Sequence, residues 1–397
     1  MTRNSTTSKT EVVVIGGGYA GTVAANRLGQ REDVAVTLVN ARSRFVERLR
    51  LHQLVAGSGT VTADYGPLLG ERVRLVVDAA DRIDTASRTV RLASGRDLGY
   101  DYVVYAVGST AAVPGAIPGA TEFAYPLAEL ENAERLRARL AELPPGAPVT
   151  VVGGGLTGIE TAAELIEQGW DVTLVCGGKL APTFSERARH ALADWLARHD
   201  VRVIEGMPVT EVQARRVLLA DDSVVPGAVT IWTAGFGVPE LARRSGLRTD
   251  RLGRLLTDET LTSLDDDRVL AAGDAAAPSN RPLRMSCQAA GPLGAQAAET
   301  ILSRVAGTRP AALDMGFLGA NVSLGRRAAV VQFTHRDDTP RRLVLRGRVA
   351  APVKEGATRA TLWAIRTEAR RPGSLIWAKG GPRPAAVVLD AEEVGNP

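Results

Sequence analysis

The sequence has almost no cysteine, with only Cys176 and Cys287 among its 397 residues. Two cysteines far apart in the chain exclude a disulfide framework, a cysteine-rich zinc module and a redox Cys-x-x-Cys pair. The sequence also lacks any run of about 18 apolar residues, which argues against a transmembrane helix. Its polar beginning, residues 1–10, lacks the apolar core of a secretory signal. We therefore expect a cytoplasmic protein with at most peripheral contact with a membrane.

Charge of one sign does not dominate the chain, because a formal net charge of +4 accompanies 45% hydrophobic and 23% charged residues. This composition excludes a largely disordered chain, and the length predicts two or three domains. Positive charge is concentrated at residues 326–371, which hold twelve basic and four acidic residues. Such a segment could attract an acidic protein carrier or anionic lipid. Aromatic residues that would stack on bases do not accompany the charge, so we expect no nucleic-acid partner.

The first forty residues have the pattern of a parallel βαβ unit. Residues 11–15 form a short β-branched run, and a glycine-rich segment, a small-residue helical stretch and a second apolar run at residues 34–40 follow. Such a glycine turn suits a pyrophosphate, because backbone N–H groups and the helix N-terminus can approach the phosphates. The first turn consists of Gly16, Gly17, Gly18, Tyr19, Ala20 and Gly21.

The same pattern occurs again between apolar runs at residues 149–152 and 171–176. One glycine-rich turn is a weak signal, but two in the right strand and helix context indicate two dinucleotide sites. In each copy the first glycine permits a tight turn, the second lets the backbone reach the phosphates, and the third lets helix and strand pack closely. The second turn includes Gly153, Gly155, Leu156, Thr157 and Gly158.

The ribose positions of both units depart from the usual pattern. An acidic side chain at the end of the second strand commonly binds the ribose hydroxyls, but Asn40 stands there in the first unit and Cys176 in the second. Asn40 offers a carbonyl oxygen as an acceptor, whereas a thiol is a poor one. Because Cys176 brings no carboxylate and Lys179 lies nearby, the sequence leaves the choice between NADH and NADPH open.

With both units in place, the chain resembles the FAD- and NAD(P)H-dependent pyridine-nucleotide oxidoreductases. Within them it is most similar to the type II NADH:quinone reductases and the apoptosis-inducing-factor-like reductases. The resemblance covers about residues 11–304, and further motifs that carry it are DYVVYAVGS at 101–109, WTAGF at 232–236 and VLAAGDA at 269–275. It implies FAD at the first glycine turn and NADH or NADPH at the second. The other cofactor contacts that it implies are Ala80, Ala106, Gly108, Ala234, Gly235, Gly273, Asp274 and Ala289.

The resemblance implies an α/β fold with two Rossmann-like dinucleotide-binding domains and a smaller C-terminal α+β region. The FAD-binding domain would consist of two segments, with the NAD(P)H-binding domain between them. An interface or acceptor region would follow. We expect the corresponding segments at residues 11–112, 113–245, 246–306 and 307–397. A homodimer is compatible with this organisation, and no metal site is expected.

The resemblance also implies residues beside the reacting rings. Glu160, two residues past the second turn, would orient the nicotinamide, although the helix dipole alone favours a carboxylate there. Arg48 would reach the FAD pyrophosphate. His52 would face the flavin, where a histidine could exchange a proton near neutral pH. An amphipathic helix at residues 45–54 explains the same segment equally well. Gln288 would begin a small-residue helix that borders the acceptor pocket.

Lack of a Cys-x-x-Cys pair favours the branch of this family that passes electrons directly from flavin to acceptor. We therefore expect an enzyme that takes hydride from NAD(P)H and reduces a quinone-like small molecule. The segment 287–290 keeps only part of the glutamine-containing run of the quinone reductases, with Pro292 in place of the second glutamine. The alternatives are a reductase of a ferredoxin-like protein, a tailoring oxidoreductase of secondary metabolism, and a flavin-bearing interaction protein gated by its redox state.

Overall fold

The computed structural model of the protein describes residues 9–383, which form 25 strands and nine α-helices. The first ten strands are β1 (Thr10–Ile15), β2 (Val34–Asn40), β3 (Arg44–Val46), β4 (Thr62–Asp64), β5 (Val73–Val77), β6 (Ala80–Asp84), β7 (Thr89–Leu92), β8 (Asp97–Gly99), β9 (Tyr102–Tyr105) and β10 (Thr110–Ala111). Nine more are β11 (Ala124–Pro126), β12 (Pro148–Val152), β13 (Asp171–Cys176), β14 (Arg202–Glu205), β15 (Val209–Gln213), β16 (Arg216–Leu219), β17 (Val224–Pro226), β18 (Val229–Trp232) and β19 (Phe236–Gly237).

The last six strands are β20 (Leu255–Thr257), β21 (Val269–Ala271), β22 (Ala276–Pro278), β23 (Gly319–Leu324), β24 (Ala328–Thr334) and β25 (Pro340–Gly347). The helices are α1 (Tyr19–Leu28), α2 (Leu51–Val55), α3 (Ala120–Phe123), α4 (Leu130–Ala141), α5 (Leu156–Glu167), α6 (Glu186–Arg198), α7 (Leu241–Arg244), α8 (Cys287–Val305) and α9 (Ala351–Arg370).

Five parallel strands form the first sheet, in the order β21-β9-β1-β2-β5. Residues 12–15 of β1 are buried on both faces, as expected for a parallel strand covered on both sides. The register aligns Ile15 with Val39 of β2 and with Tyr105 of β9. Because parallel strands end at one edge of a sheet, the segments that follow these residues meet there.

A second parallel sheet has the order β11-β18-β12-β13-β14. Its register aligns Val152 at the end of β12 with Val175 of β13 and Trp232 of β18. Helix α5 packs on this sheet through residues that include Ile159 and Ala163, both fully buried. The carboxyl edge of the second sheet therefore collects the second glycine turn and the segment after Trp232.

Smaller antiparallel sheets surround these two sheets. Strands β6-β7-β8 and β15-β16-β17 form three-stranded sheets, and β3 pairs with β4. Strands β10 and β19 pair with each other, so the two chain segments that cross between the large sheets run side by side. The parallel pair of β20 and β22 lies in the segment that returns to complete the first sheet.

The C-terminal region consists of the antiparallel sheet β23-β24-β25 and the 20-residue helix α9. Val322 and Leu324 of β23 share a core cluster with Ile159 of α5, whereas Ile365 of α9 shares another with Val23 of α1. The predicted α/β fold with two Rossmann-like units and an α+β C-terminal region is confirmed. The segment boundaries given above remain a prediction.

One local expectation is wrong. Residues 45–54 do not form one amphipathic helix, because Phe45 lies in β3, Arg48–Arg50 form a 3₁₀ turn, and α-helix begins only at Leu51. Phe45 pairs in β3 with β4, and its fully buried ring packs edge-on against Tyr19 and Tyr65, so a strand satisfies the apolar pattern at this end. None of the helices in the described part of the chain has both the length and the apolarity needed to cross a membrane. Residues 1–8 lie outside the described residues.

Candidate functional site

The first glycine turn lies between β1 and α1. Gly16 has a φ of +103°, and a Cβ added there would lie 2.4 Å from the carbonyl oxygen of Ala106. A Cβ on Gly21 would lie 1.8 Å from the carbonyl oxygen of Gly16, so Gly21 lets α1 pack on the turn. Gly18 faces open space, since no atom lies within 4 Å of its Cβ position. Gly16 and Gly21 therefore shape the turn, and Gly18 leaves room for a ligand.

Two side chains fix the middle of this turn. Asn40 Oδ1 accepts a hydrogen bond from the backbone N–H of Gly17 at 2.9 Å, and Asn40 Nδ2 donates to the carbonyl of Arg42 at 2.7 Å. The hydroxyl of Tyr65 donates to the carbonyl of Gly17 at 2.7 Å, and burial raises its pKa, so it keeps its proton. Asn40, the predicted ribose acceptor, thus supports the turn itself. Tyr65 follows β4 without a motif of its own, and sequence reasoning missed it.

The start of α1 fits the pyrophosphate of FAD. Gly18 is the N-cap residue in extended conformation, and no side chain caps the helix. The first N–H groups of α1 therefore lack intrahelical partners, and the positive end of the helix dipole faces the open space at Gly18. Tyr19 packs edge-on against Phe45 with ring centroids 5.2 Å apart, and Ala20 is buried. These observations match the demands of a pyrophosphate group.

The second glycine turn repeats this geometry between β12 and α5. Gly153 has a φ of +129°, and a Cβ there would lie 2.4 Å from the hydroxyl oxygen of Thr233. A Cβ on Gly158 would lie 1.9 Å from the carbonyl oxygen of Gly153, whereas Gly155 faces open space and is the uncapped N-cap of α5. The turn therefore fits the pyrophosphate of a nicotinamide dinucleotide. This turn contains the residues that the sequence predicts for it, which are Gly153, Gly155, Leu156, Thr157 and Gly158.

A carboxylate that sequence reasoning missed lies beside Cys176, the predicted ribose position of the second unit. Cys176 is buried beside Gly154, whose Cβ would lie 2.7 Å from the sulfur. Burial, aided by the charge of Glu205, raises the pKa of the thiol to about 12. Glu205 ends β14 in register with Cys176, and its Oε1 accepts a hydrogen bond from the N–H of Leu180. Lys179 is exposed in the same loop. The carboxylate comes from the neighbouring strand, which no spacing rule within one βαβ unit indicates.

Three of the predicted FAD contacts meet at the carboxyl edge of the first sheet. The hydroxyl of Ser109 donates to Asp274 Oδ2 at 2.7 Å. Arg48 Nη1 donates to the carbonyl of Ser109 at 2.8 Å, and Arg48 Nε donates to the carbonyl of Ala128 at 2.9 Å. Gly108 adjoins them, because its Cβ position is 3.5 Å from Arg48 Nη1. The structure thus brings Arg48, Gly108 and Asp274 together through Ser109.

The remaining predicted contacts are distributed along the two sheets. Ala106 follows β9, and its N–H donates to the carbonyl of Ile15. Gly273 has a φ of +70° and precedes Asp274, whereas Gly235 has a φ of +79°. The carbonyl of Ala234 accepts a hydrogen bond from Trp232 Nε1 at 2.8 Å. Ala80 begins β6.

A buried polar cluster, consisting of His52, Glu160, Ser323 and Lys354, joins α2, α5, β23 and α9. Glu160 Oε1 accepts hydrogen bonds from the N–H and the hydroxyl of Ser323, both at 3.0 Å. It also forms an ion pair with Lys354 Nζ at 3.0 Å. Glu160 Oε2 lies 3.6 Å from His52 Nδ1. Among the described residues, no group forms a hydrogen bond with the buried His52 Nε2. Sequence reasoning missed Ser323 and Lys354.

Burial and charge set the protonation of this polar cluster. Burial lowers the pKa of His52 to about 4, although the nearby Glu160 opposes the shift. The imidazole is therefore neutral near pH 7, in contrast to the expectation of a histidine that titrates near neutrality. Burial alone would raise the pKa of Glu160, but Lys354, His52 and the hydrogen bonds from Ser323 lower it. The cluster thus places an ionised Glu160, in contact with Lys354, beside a neutral imidazole.

Gln288 lies in the first turn of α8 and contacts the C-terminal region. With the amide oriented to satisfy both groups, its nitrogen donates to the carbonyl of Gly319 and its oxygen accepts from the N–H of Leu318, each at 3.0 Å. Ala289 donates its N–H to the hydroxyl of Ser286, which caps the helix. Both hydrogen bonds of the Gln288 amide therefore tie α8 to β23, and neither goes to the polar cluster.

Comparisons with known proteins agree with this geometry. Residues 10–298 match the family described as Pyridine nucleotide-disulphide oxidoreductase. The chain is 29% identical over 374 residues to an NADH dehydrogenase-like protein of Mycobacterium tuberculosis, covering 87% of this chain and 92% of that protein. It is 27% identical to a type II NADH:quinone oxidoreductase of Haemophilus influenzae, covering 67% and 73%. The fold also matches NDH2 of Plasmodium falciparum in complex with NADH, with a TM-score of 0.76, 15% identity, and coverage of 92% and 99%.

Proposed function

The chain belongs to the pyridine nucleotide-disulphide oxidoreductase family, and from that premise we propose that it oxidises NADH and reduces a quinone. It is an oxidoreductase that uses FAD and NAD(P)H. The proposal concerns the finer identity of the donor and of the acceptor. The main observation in support of the proposal is the position of Glu160. This residue lies about 6 Å along the helix axis from Leu156, at the start of α5, and at the centre of the buried polar cluster.

The residues of the two glycine turns bind and orient the cofactors in this proposal. The free N–H groups at the start of α1 would hold the FAD pyrophosphate, and those at the start of α5 would hold that of the nicotinamide dinucleotide. Asp274 Oδ2 is used by Ser109, whereas Oδ1 has no hydrogen bond within the described residues and would accept one from the ribityl chain. The FAD that these residues would hold would supply the chemistry of hydride acceptance and two-electron transfer.

The polar cluster would supply the proton that quinone reduction consumes. NADH, one proton and a quinone give NAD⁺ and a hydroquinone, so one proton must come from solvent. We propose that Lys354 Nζ holds this proton, positioned by its ion pair with Glu160 Oε1. The neutral His52 directs its Nδ1–H toward Glu160, so Nε2 would accept a hydrogen bond from the hydroxyl of the hydroquinone product. Relatives whose names specify NADH:quinone oxidoreduction support this acceptor class.

NADH is proposed as the donor because of Glu205. Its carboxylate lies beside Cys176, where the adenosine ribose of a dinucleotide is expected, and would repel a 2′-phosphate. The test is the ratio of kcat/KM for NADH to that for NADPH. Glu205→Gln should lower the ratio, whereas Lys179→Ala should raise it by weakening use of NADPH. Glu122→Gln, an exposed carboxylate on α3, is the matched control. An unchanged ratio in Glu205→Gln would contradict this choice of donor.

The quinone is tested by stopped-flow measurements on the FAD-loaded enzyme. NADH should bleach the flavin absorbance, and a soluble short-chain quinone should restore it rapidly. Glu160→Gln and His52→Leu should slow the second step, whereas His199→Leu, an exposed histidine at the end of α6, should leave both steps unchanged. Flavin that NADH reduces but quinones fail to reoxidise would rule the proposal out.

The second candidate is a reductase of an acidic, ferredoxin-like protein. The basic segment at residues 326–371 favours it, because complementary charge accelerates docking. The same stopped-flow experiment with a ferredoxin separates the two functions. Reoxidation by ferredoxin that slows steeply with added salt, without reoxidation by quinones, would favour this candidate.

A further inference from the structure

An open cavity of about 620 Å³ lies at one end of the C-terminal sheet. Residues of the β23–β24 turn, of the turn after β25 and of the start of α9 line it. We name it the arginine cavity, and its lining residues are Arg326, Arg327, Arg348, Ala351, Pro352 and Glu355. Two turns of the sheet therefore present three guanidinium groups to one space, which the start of α9 also borders.

This cavity lies away from the second glycine turn. Arg326 donates its backbone N–H to Glu167 Oε2 at 3.0 Å, and its Nη1 lies 3.7 Å from Glu164 Oε1. Both carboxylates belong to the last turns of α5, whose first residue, Leu156, lies at the glycine turn. At 1.5 Å per residue, Glu167 is about 16 Å along the axis from Leu156. A pyrophosphate bound at the glycine turn thus leaves the arginine cavity free.

Positive charge in the cavity is only partly compensated. Among the described residues, the side chains of Arg327 and Arg348 form no ion pair or hydrogen bond, and both are exposed. The carboxylate of Glu355 points to other cations, because Oε1 pairs with Arg50 Nη2 at 3.0 Å and with Arg359 Nε at 2.7 Å. The cavity therefore has two uncommitted guanidinium groups and no uncommitted carboxylate.

The start of α9 adds to this charge. Ala350 is the N-cap residue and has no side chain that could cap the helix, and the first turn contains no acidic residue. The N-terminal end of a 20-residue helix thus faces a space that already holds three arginines. Guanidinium groups donate two parallel hydrogen bonds to phosphate oxygens, which lysines cannot do.

We propose that the arginine cavity is an anion site that binds a phosphate group through Arg327 and Arg348. The phosphate can come from a free anion or from the headgroup of a phospholipid, since both present the same oxygens. Val349 and Val353 directly follow the lining residues Arg348 and Pro352 in the sequence and are 71% and 43% exposed. Because these exposed apolar side chains could contact a membrane, the test has a separate arm for the lipid headgroup.

The test compares the holoenzyme with an Arg327→Gln/Arg348→Gln variant, with both dinucleotide sites filled by FAD and saturating NAD⁺. The matched control is Arg135→Gln/Arg137→Gln, which removes the same charge from the exposed side of α4. The first arm titrates inorganic phosphate against chloride at equal ionic strength and follows the thermal unfolding midpoint. The second arm measures co-sedimentation with phosphatidylcholine vesicles, with and without phosphatidylglycerol. Equal FAD content and midpoints without phosphate establish that the variants are folded.

Three outcomes decide the proposal. A free anion is supported if phosphate raises the unfolding midpoint of parent and control, and if the cavity variant needs at least about ten times more phosphate for the same rise. Binding only to phosphatidylglycerol vesicles, lost in the cavity variant and kept in the control, supports a lipid headgroup. If neither ligand distinguishes the cavity variant from the control, the proposal is wrong.

Discussion

At the scale of single residues, each turn has a glycine that faces open space and others that close packing requires. Substitutions at the two kinds of glycine should therefore affect ligand binding and stability separately. Gly155→Val should abolish flavin reduction by NADH, because its side chain enters the open space where the pyrophosphate would lie, while the fold stays intact. Gly158→Val should instead destabilise the protein by several kcal/mol, because its Cβ would meet the Gly153 carbonyl at 1.9 Å. Urea unfolding and the FAD spectrum check both variants. Equal loss of stability in the two would contradict this division.

His52 should make the protein sensitive to acid. Its pKa is lowered from 6.5 to about 4 in the folded state by burial. Between these values the unfolded chain binds a proton that the folded chain does not, so the free energy of unfolding falls as the pH falls. The slope is at most about 1.4 kcal/mol per pH unit. His52→Gln should flatten the loss of stability from pH 6.5 to 4.5, whereas exposed His199→Gln should not. Parallel curves for parent and His52→Gln would refute this assignment.

Sequence predicts some of these residues and not others for a physical reason. Gly16 and Gly153 answer a local demand, a positive φ directly after a strand, and that demand is visible in a short window. Ser323 reaches Glu160 across 163 residues of sequence, and Glu205 lies beside Cys176 on a neighbouring strand. Nothing near these side chains in the sequence indicates their partners, so only the assembled fold identifies them.

At the scale of elements, α9 is held to α1 by a buried ion pair. Glu368 is fully buried, forms an ion pair with Arg27, and accepts hydrogen bonds from the N–H groups of Gly373 and Leu375. Burial would raise the pKa of Glu368, but Arg27 and these N–H groups lower it, so it stays charged. Glu368→Ala should cost about 3–5 kcal/mol, because Arg27 would keep only Glu299 as a charged partner and the N–H groups of Gly373 and Leu375 would lose their acceptor.

Urea unfolding measures this loss, and limited proteolysis should show earlier cleavage around α9. Arg366→Ala, an exposed residue of the same helix, should change the free energy of unfolding by less than about 0.5 kcal/mol. A Glu368→Ala variant as stable as Arg366→Ala would show that the ion pair does not hold α9.

Elements with a strong hydrophobic pattern have the bounds that the sequence predicts. The second run of each unit is a strand with the predicted bounds, at Val34–Asn40 and Asp171–Cys176. Residues 45–54 do not form the predicted helix, because Phe45 lies in a short paired strand and its ring packs against Tyr19 and Tyr65, a tertiary arrangement that overrides the helical spacing. Local pattern is decisive where both faces of an element are buried, and weak where one short element meets another.

At the scale of the whole molecule, the polar cluster connects the second sheet to the C-terminal region. Lys354→Met should leave the Glu160 carboxylate with reduced compensation, raise its pKa and weaken the contact of α9 with α5. We expect a loss of about 3–5 kcal/mol in the free energy of unfolding. Lys379→Met, at a lysine that lies over the ring of Trp377, is the control and should cost about 1 kcal/mol or less. Equal effects of the two lysines would mean that the cluster contributes nothing specific.

The return of the chain to its first sheet has a consequence for biosynthesis. Strand β9 ends at Tyr105, but its neighbour β21 begins only at Val269. At a translation rate of about 5–20 residues per second, the last strand of the first sheet is therefore synthesised about 8 to 30 seconds after β9. The second sheet needs nothing beyond Trp232, so it can close earlier on the ribosome. Of the two parallel sheets, the one that is encoded first is therefore completed second, and a nascent chain stalled before Val269 would offer chaperones an open edge at β9.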